Sequence, residues 1–124
     1  MAKKILVIED NEQNLYLITF LLESNGCEVI AAMNGLDGIE LAKTAQPNLI
    51  LLDIQLPGMH GYDVAKALRA IKDLDAVAII AVTSHAMKGD KESCLAAGCD
   101  GYIEKPINPE SFINQLSEFY SGIL

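Results

Sequence analysis

The chain has 124 residues, enough for one compact domain around a single core, and 51% of them are apolar. Charged residues make up 21%, an ordinary share for a folded protein, so the composition argues against disorder. The formal net charge is −8 and Lys3–Lys4 is the sole adjacent basic pair, which argues against direct nucleic-acid binding.

The first element is a strand, Ile5–Ile8, continuous in aliphatic residues as a strand buried on both faces is. Preceded only by MAKK and followed by two acids, this run is too short for a signal peptide, and no later stretch reaches the length of a membrane span. A helix follows, with Leu15, Ile18, Leu21, Leu22 and Asn25 at helical spacing, Asn11 as its cap and Gly26 as its stop. The second strand is Cys27–Ala32. The second helix begins after Asn34, carries Ile39, Ala42 and Ala45 on one face, and is broken by Pro47.

Leu49–Leu52 is the third strand. The third helix begins near Gly61, with Val64, Ala65, Leu68 and Ile71 as its apolar face. Val77–Val82 is the fourth strand, followed by a helix from about Met87 to Ala97 that stops at Gly98. Tyr102–Ile103 is the fifth strand. The last helix starts at Asn108–Pro109, a cap followed by proline, and shows Phe112, Ile113, Leu116 and Tyr120. Five successive βα units imply an α/β fold, a parallel sheet with right-handed crossovers and helices on both faces. The last helix uses up the chain, so one domain over 1–124 with no output domain is expected.

Cys27, Cys94 and Cys99 are odd in number and form no CxxC. They read as small apolar side chains of a reduced, cytoplasmic protein. A zinc site built from Cys94, Cys99 and His85 would lack any recognised ligand spacing.

The polar residues fall at strand ends, where open α/β sheets bind ligands. Glu9 and Asp10 follow the first strand, Asp53 ends the third, Thr83 and Ser84 end the fourth, and Glu104, Lys105 and Pro106 follow the fifth. The second strand ends in Ala32, Met33 and Asn34, with no charge, which suits a sheet edge away from the site. Three converging carboxylates repel unless a cation is present. Mg²⁺ suits them, because it takes oxygen ligands and keeps open positions for water and phosphate oxygens. Lys105 supplies a cation to hold an anion, and Thr83 a hydroxyl for a phosphoryl oxygen. Such a set suits phosphoryl transfer onto a carboxylate.

Through ILVIEDN at 5–11, LILLDIQLPGMHG at 49–61, AVTS at 81–84 and YIEKP at 102–106, the chain resembles the response-regulator receiver domains of two-component signalling over its whole length. The resemblance implies a flavodoxin-like doubly wound (βα)5 sandwich with strand order 2-1-3-4-5. It implies Asp53 as phosphoacceptor, Asp10 as direct Mg²⁺ ligand, Glu9 acting on the metal through water, and the backbone carbonyl of Gln55 as a further ligand. Thr83 would move to the phosphoryl group, Lys105 would contact it, and the peptide before Pro106 would be cis. Tyr102 would report the switch by its rotamer. Gln55 and His85, with Ser84 and Pro106, would form the site rim, and Gln55 and His85 would tune the lifetime of the phosphorylated state.

The resemblance also implies a sensor histidine kinase or phosphotransfer protein as donor and a downstream protein as target. It implies a monomer or weak dimer in the cytoplasm that is not a conventional enzyme.

Singly, each residue has a plain reading. Acids suit a helix start, Asp53 suits a turn, Tyr102 is a half-buried strand aromatic, and His60 is a solvated loop residue. Gly61 serves backbone geometry. Their placement on four strand ends outweighs these readings. An aspartyl phosphatase would carry DxD on the first strand, where this chain has Glu9–Asp10. A nucleotide or flavin module would need a Gly- or Ser/Thr-rich phosphate loop where DNEQN stands. A scaffold that never takes a phosphoryl group is the remaining alternative.

Overall fold

A computed structural model describes residues 3–84 and 90–120. Five strands, β1 (Lys4–Ile8), β2 (Glu28–Ala32), β3 (Leu49–Asp53), β4 (Ala78–Thr83) and β5 (Gly101–Glu104), alternate with five helices. The helices are α1 (Glu12–Ser24), α2 (Gly35–Ala45), α3 (Gly61–Arg69), α4 (Asp90–Ala96) and α5 (Phe112–Phe119). Every strand pairing is parallel and the order is β2-β1-β3-β4-β5, the doubly wound arrangement that was expected. The chain lays β2 on one side of β1 and β3 on the other, so the crevice lies between β1 and β3.

The unbroken apolar runs divide by parity. Leu6, Ile8, Ile50, Leu52, Ile79 and Ala81 pack under α2, α3 and α4. Their neighbours Ile5, Val7, Leu49, Leu51, Ile80 and Val82 pack under α1 and α5. Successive strand side chains point to opposite faces, so two helix layers over one sheet require apolar residues at every position. Cys27, Cys94 and Cys99 are buried thiols in these cores, and burial pushes the Cys99 thiol up to about 12.

Capping fixes most helix ends. Asn11 Oδ1 accepts from Asn14 N at 2.9 Å, and Asn34 Oδ1 accepts from Asp37 N at 2.8 Å. Gly26 and Gly98 have φ of +81° and +106°, and the residue after each donates back into its helix: Cys27 N to Leu22 O at 3.1 Å and Cys99 N to Cys94 O at 3.0 Å. That is the Schellman closure expected at both glycines. Asn25 is exposed rather than part of the α1 apolar face, and its Nδ2 donates to Leu21 O at 2.8 Å.

Other boundaries differ from expectation. His60 is exposed and precedes the helix, as expected of a solvated loop residue, and it also serves as the N-cap of α3, its Nδ1 accepting from Tyr62 N at 3.1 Å. The third helix stops at Arg69, before Ile71, which instead opens a 3₁₀ turn at Lys72–Leu74. A turn at Asn108 precedes α5, with Asn108 Oδ1 accepting from Glu110 N at 3.0 Å, and regular helix begins at Phe112. The expected start of the fourth helix, at Met87, lies outside the described residues.

At the N-terminal ends of β4 and β5, Arg69 joins four segments. Its Nε donates to Gly98 O at 2.7 Å, its Nη1 to Leu74 O at 3.0 Å and its Nη2 to Asp100 Oδ2 at 2.6 Å. The same Asp100 oxygen accepts from Ile79 N at 2.9 Å.

Candidate phosphoryl-transfer and metal site

Strand register assembles the site. Ile8 lies opposite Leu52, so the next residues along, Glu9 and Asp53, stand side by side at the β1/β3 crevice. Asp53 lies opposite Val82, which sets Thr83 one step beyond it on β4. Thr83 lies opposite Glu104, and Lys105 follows, its backbone N donating to Thr83 O at 2.7 Å. β2 contributes nothing charged at this end, because it sits at the sheet edge.

The structure therefore brings together Glu9, Asp10, Asp53, Thr83 and Lys105. Carboxylate oxygens of Glu9, Asp10 and Asp53 lie within 4.8 Å of one another. Glu9, Asp53 and Thr83 are buried, at 2%, 3% and 4% exposure, while Asp10 is half-buried. Lys105 Nζ reaches into the cluster, 3.0 Å from Glu9 Oε1 and 3.3 Å from Asp53 Oδ1. One ammonium cannot balance three carboxylates. Burial accordingly pushes the Glu9 carboxyl from 4.5 up to about 7, and Asp53 beside it pushes the same way, against the pull of Lys105 and the Asn11 N–H. An all-oxygen donor set with a shortfall of positive charge fits a hard divalent cation such as Mg²⁺.

Backbone geometry tightens the mouth of the site. Gln55 N donates to Asp53 Oδ1 at 3.0 Å. Gly61 N donates to Ile54 O at 3.0 Å, which folds the β3–α3 loop back on itself. A Cβ at Gly61 would lie 2.4 Å from Ile54 Cα and 2.9 Å from Asp53 O, so only glycine allows this approach. Ser84 Oγ donates to Gln55 Oε1 across the rim. The peptide between Lys105 and Pro106 is cis. Tyr102 is half-buried on β5 and, with Cys94, Leu95 and Phe119, lines a groove of about 320 Å³ between α4 and α5. His85 lies outside the described residues.

Three contacts were not foreseen in the sequence: the Lys105–Glu9 pair, the Gln55–Ser84 hydrogen bond and the packing of Gly61 on Ile54. Each joins residues far apart in the chain or depends on loop curvature. The one local signal was the Pro57–Gly58 turn ahead of Gly61.

An acidic, lysine-bearing crevice at the carboxyl ends of a 2-1-3-4-5 parallel sheet defines a doubly wound α/β module equipped for cation and phosphoryl chemistry. The chain belongs to the response-regulator receiver domain family, whose sequence pattern matches residues 5–117. It is thus a signalling protein of the two-component class. It is 43% identical over 119 residues to the polar-differentiation response regulator DivK of Brucella anthropi, a match covering 96% of this chain and 97% of DivK. DivK of Brucella ovis is 42% identical over the same length and coverage.

Among solved structures, the Vibrio cholerae chemotaxis protein CheY4 superposes with a TM-score of 0.92 at 26% identity, covering 96% of this chain and 99% of CheY4. The receiver domain of the Pseudomonas aeruginosa sensor histidine kinase PA1611 superposes with a TM-score of 0.87 at 33% identity, covering 96% and 98%. That structure has a magnesium ion coordinated in its active-site cleft. In the present protein, no helix among the described residues is long and apolar enough to cross a membrane.

Proposed function

We propose that Asp53 accepts a phosphoryl group from a phosphohistidine on a sensor histidine kinase or phosphotransfer protein, and that the acylphosphate so formed switches a protein-binding surface. The observation that carries this reading is the meeting of Glu9, Asp10 and Asp53 within 4.8 Å, with Lys105 Nζ 3.3 Å from Asp53. Asp10, Asp53 and the Gln55 carbonyl would hold Mg²⁺, with Glu9 acting through water. When bound, the ion neutralises charge that builds on the phosphoryl oxygens.

The chain's own residues do the rest. An Asp53 carboxylate oxygen forms the bond to phosphorus as the bond from phosphorus to the imidazole nitrogen breaks and the imidazole keeps the electron pair. Lys105 is already paired to Asp53 and is placed to hold a phosphoryl oxygen after transfer. Thr83, one residue along on the neighbouring strand, donates its hydroxyl to another. Drawing Thr83 inward shifts the packing of Tyr102 and remodels the α4–β5–α5 face, a change of population between two states. Water later cleaves the acylphosphate, releasing phosphate and restoring the carboxylate. Asp53 is thus a self-resetting acceptor rather than the nucleophile of a turnover enzyme. The signal leaves through protein contacts in the cytoplasm, from a monomer or weak dimer.

The test is intact mass after incubation with acetyl phosphate and Mg²⁺. The expected result is one added phosphoryl group in the wild-type chain, absent in Asp53→Asn and absent without Mg²⁺. A gain that persists in Asp53→Asn would place the acceptor elsewhere. No gain from acetyl phosphate or from a panel of phosphorylated histidine kinases would favour the scaffold reading.

A further inference from the structure

Backbone pairing between β3 and β4 ends at Ile54 N, which donates to Val82 O at 3.1 Å. The register carried two steps past its last pair, Asp53 with Val82, sets Gln55 opposite Ser84. There the strands have become loops, and side chains take over: Ser84 Oγ donates to Gln55 Oε1. This bond extends the tie between the two loops past the last ladder bond and over the mouth of the site.

The backbone of Gln55 faces the chemistry. Its N–H holds Asp53 Oδ1 at 3.0 Å, and its carbonyl is the proposed third protein ligand of the cation. Among the described residues, the tie to Gln55 from the side toward β4 is the Ser84 hydroxyl. Ser84 therefore stands in the position of an outer-shell group, one that touches a ligand-bearing residue and orients it.

We infer that Ser84 is a positioning residue for the Mg²⁺ site: through the Gln55 side chain it fixes the Gln55 backbone in the orientation that serves Asp53 and presents the carbonyl to the cation. This rests on reading Asp10, Asp53 and the Gln55 carbonyl as the ligand set. Without the hydroxyl, the peptide of Gln55 gains freedom that cation binding must remove. One hydrogen bond of ordinary net strength corresponds to a loss of roughly three- to tenfold in affinity. Both side chains are exposed, which sets the effect below that of a buried outer-shell partner.

The experiment is calorimetric titration with Mg²⁺ alone, with no phosphodonor, on the wild-type chain, Ser84→Ala, Gln55→Ala, the double variant and Ser84→Thr. Gln55→Ala keeps the backbone carbonyl, so any weakening there comes from lost positioning. Each single alanine variant is expected to weaken Mg²⁺ about three- to tenfold. The double variant should be no weaker than the weaker single, because both changes remove the same bond. Ser84→Thr keeps the hydroxyl and should return affinity to within about twofold of wild type. Urea unfolding of the metal-free proteins is expected to differ little, which separates positioning from a general loss of fold.

Unchanged affinity in Ser84→Ala, or losses that add in the double variant, would overturn the inference while leaving the metal site intact. No Mg²⁺ binding by the wild-type chain would instead overturn the ligand assignment itself, and the inference with it.

Discussion

Lys105 Nζ stands 3.0 Å from Glu9 Oε1, yet burial pushes the Glu9 carboxyl from 4.5 up to about 7, so burial outweighs the ion pair. A carboxyl whose folded-state pKa is raised holds its proton more tightly in the folded chain than in the unfolded one. The stability linked to that proton is full below about 4.5 and is lost as pH rises through about 7. With Mg²⁺ chelated, urea unfolding across this window should show wild-type stability falling by on the order of 2–3 kcal/mol more than that of Glu9→Gln. Parallel curves for the two proteins would mean that Glu9 ionises in the fold without penalty.

Among the described residues, Lys105 is the one cation in contact with the carboxylate cluster. Lys105→Met keeps the apolar stem but leaves Glu9 and Asp53 facing each other with no positive charge. The metal-free protein should lose about 2–4 kcal/mol at pH 8, and saturating Mg²⁺ should recover part of it by supplying the missing charge. Thermal or urea unfolding with and without Mg²⁺ measures both numbers. A deficit that Mg²⁺ does not reduce would show that the lysine acts by packing and not by charge.

Gly61 packs its Cα face against Ile54 and the carbonyl of Asp53. A methyl group there meets backbone, which cannot swing aside as a side-chain tip can. Gly61→Ala should cost roughly 1–3 kcal/mol in urea unfolding and also weaken Mg²⁺, because the β3–α3 loop must back away from the site. A destabilised variant that bound Mg²⁺ as tightly as wild type would uncouple the loop from the proposed metal site.

Arg69 presents a contrast, since its bonds lie at the opposite end of the strands. Arg69→Ala leaves Gly98 O and Leu74 O without that donor and removes an ion pair 2.6 Å long. A loss of about 3–4 kcal/mol is expected, with Arg69→Lys recovering less than half, because an ammonium cannot reproduce the guanidinium fork. Mg²⁺ affinity, read by calorimetry below the unfolding temperature, should stay within about twofold of wild type. A larger change would mean that strain passes along β4 from one end of the sheet to the other.

How much of this was legible in the sequence depends on the range of the interaction. Runs such as Leu49–Leu52 and Val77–Val82 declare strands covered on both faces, and Asn11, Asn34, Gly26 and Gly98 mark helix ends by local chemistry. The polar residues at strand ends gave the site, because a parallel sheet brings all its carboxyl ends to one edge. The 3₁₀ turn at Lys72–Leu74 has no such signature, and His60 as a cap is an unusual choice that composition does not favour. Arg69 with Asp100, and Gln55 with Ser84, are pairs 31 and 29 residues apart. Only the folded register reveals them.

The division of each strand by parity places an unequal tolerance on insertions. Loops can lengthen by a residue with a small entropic cost. A single residue inserted within β1, β3 or β4 would exchange the two helix-facing sets and, in the same stroke, carry Glu9, Asp53 or Thr83 to the wrong side of the sheet. Folding and the assembly of the acidic site are thus guarded by one and the same count of residues, so a change that shifts a strand disturbs both together.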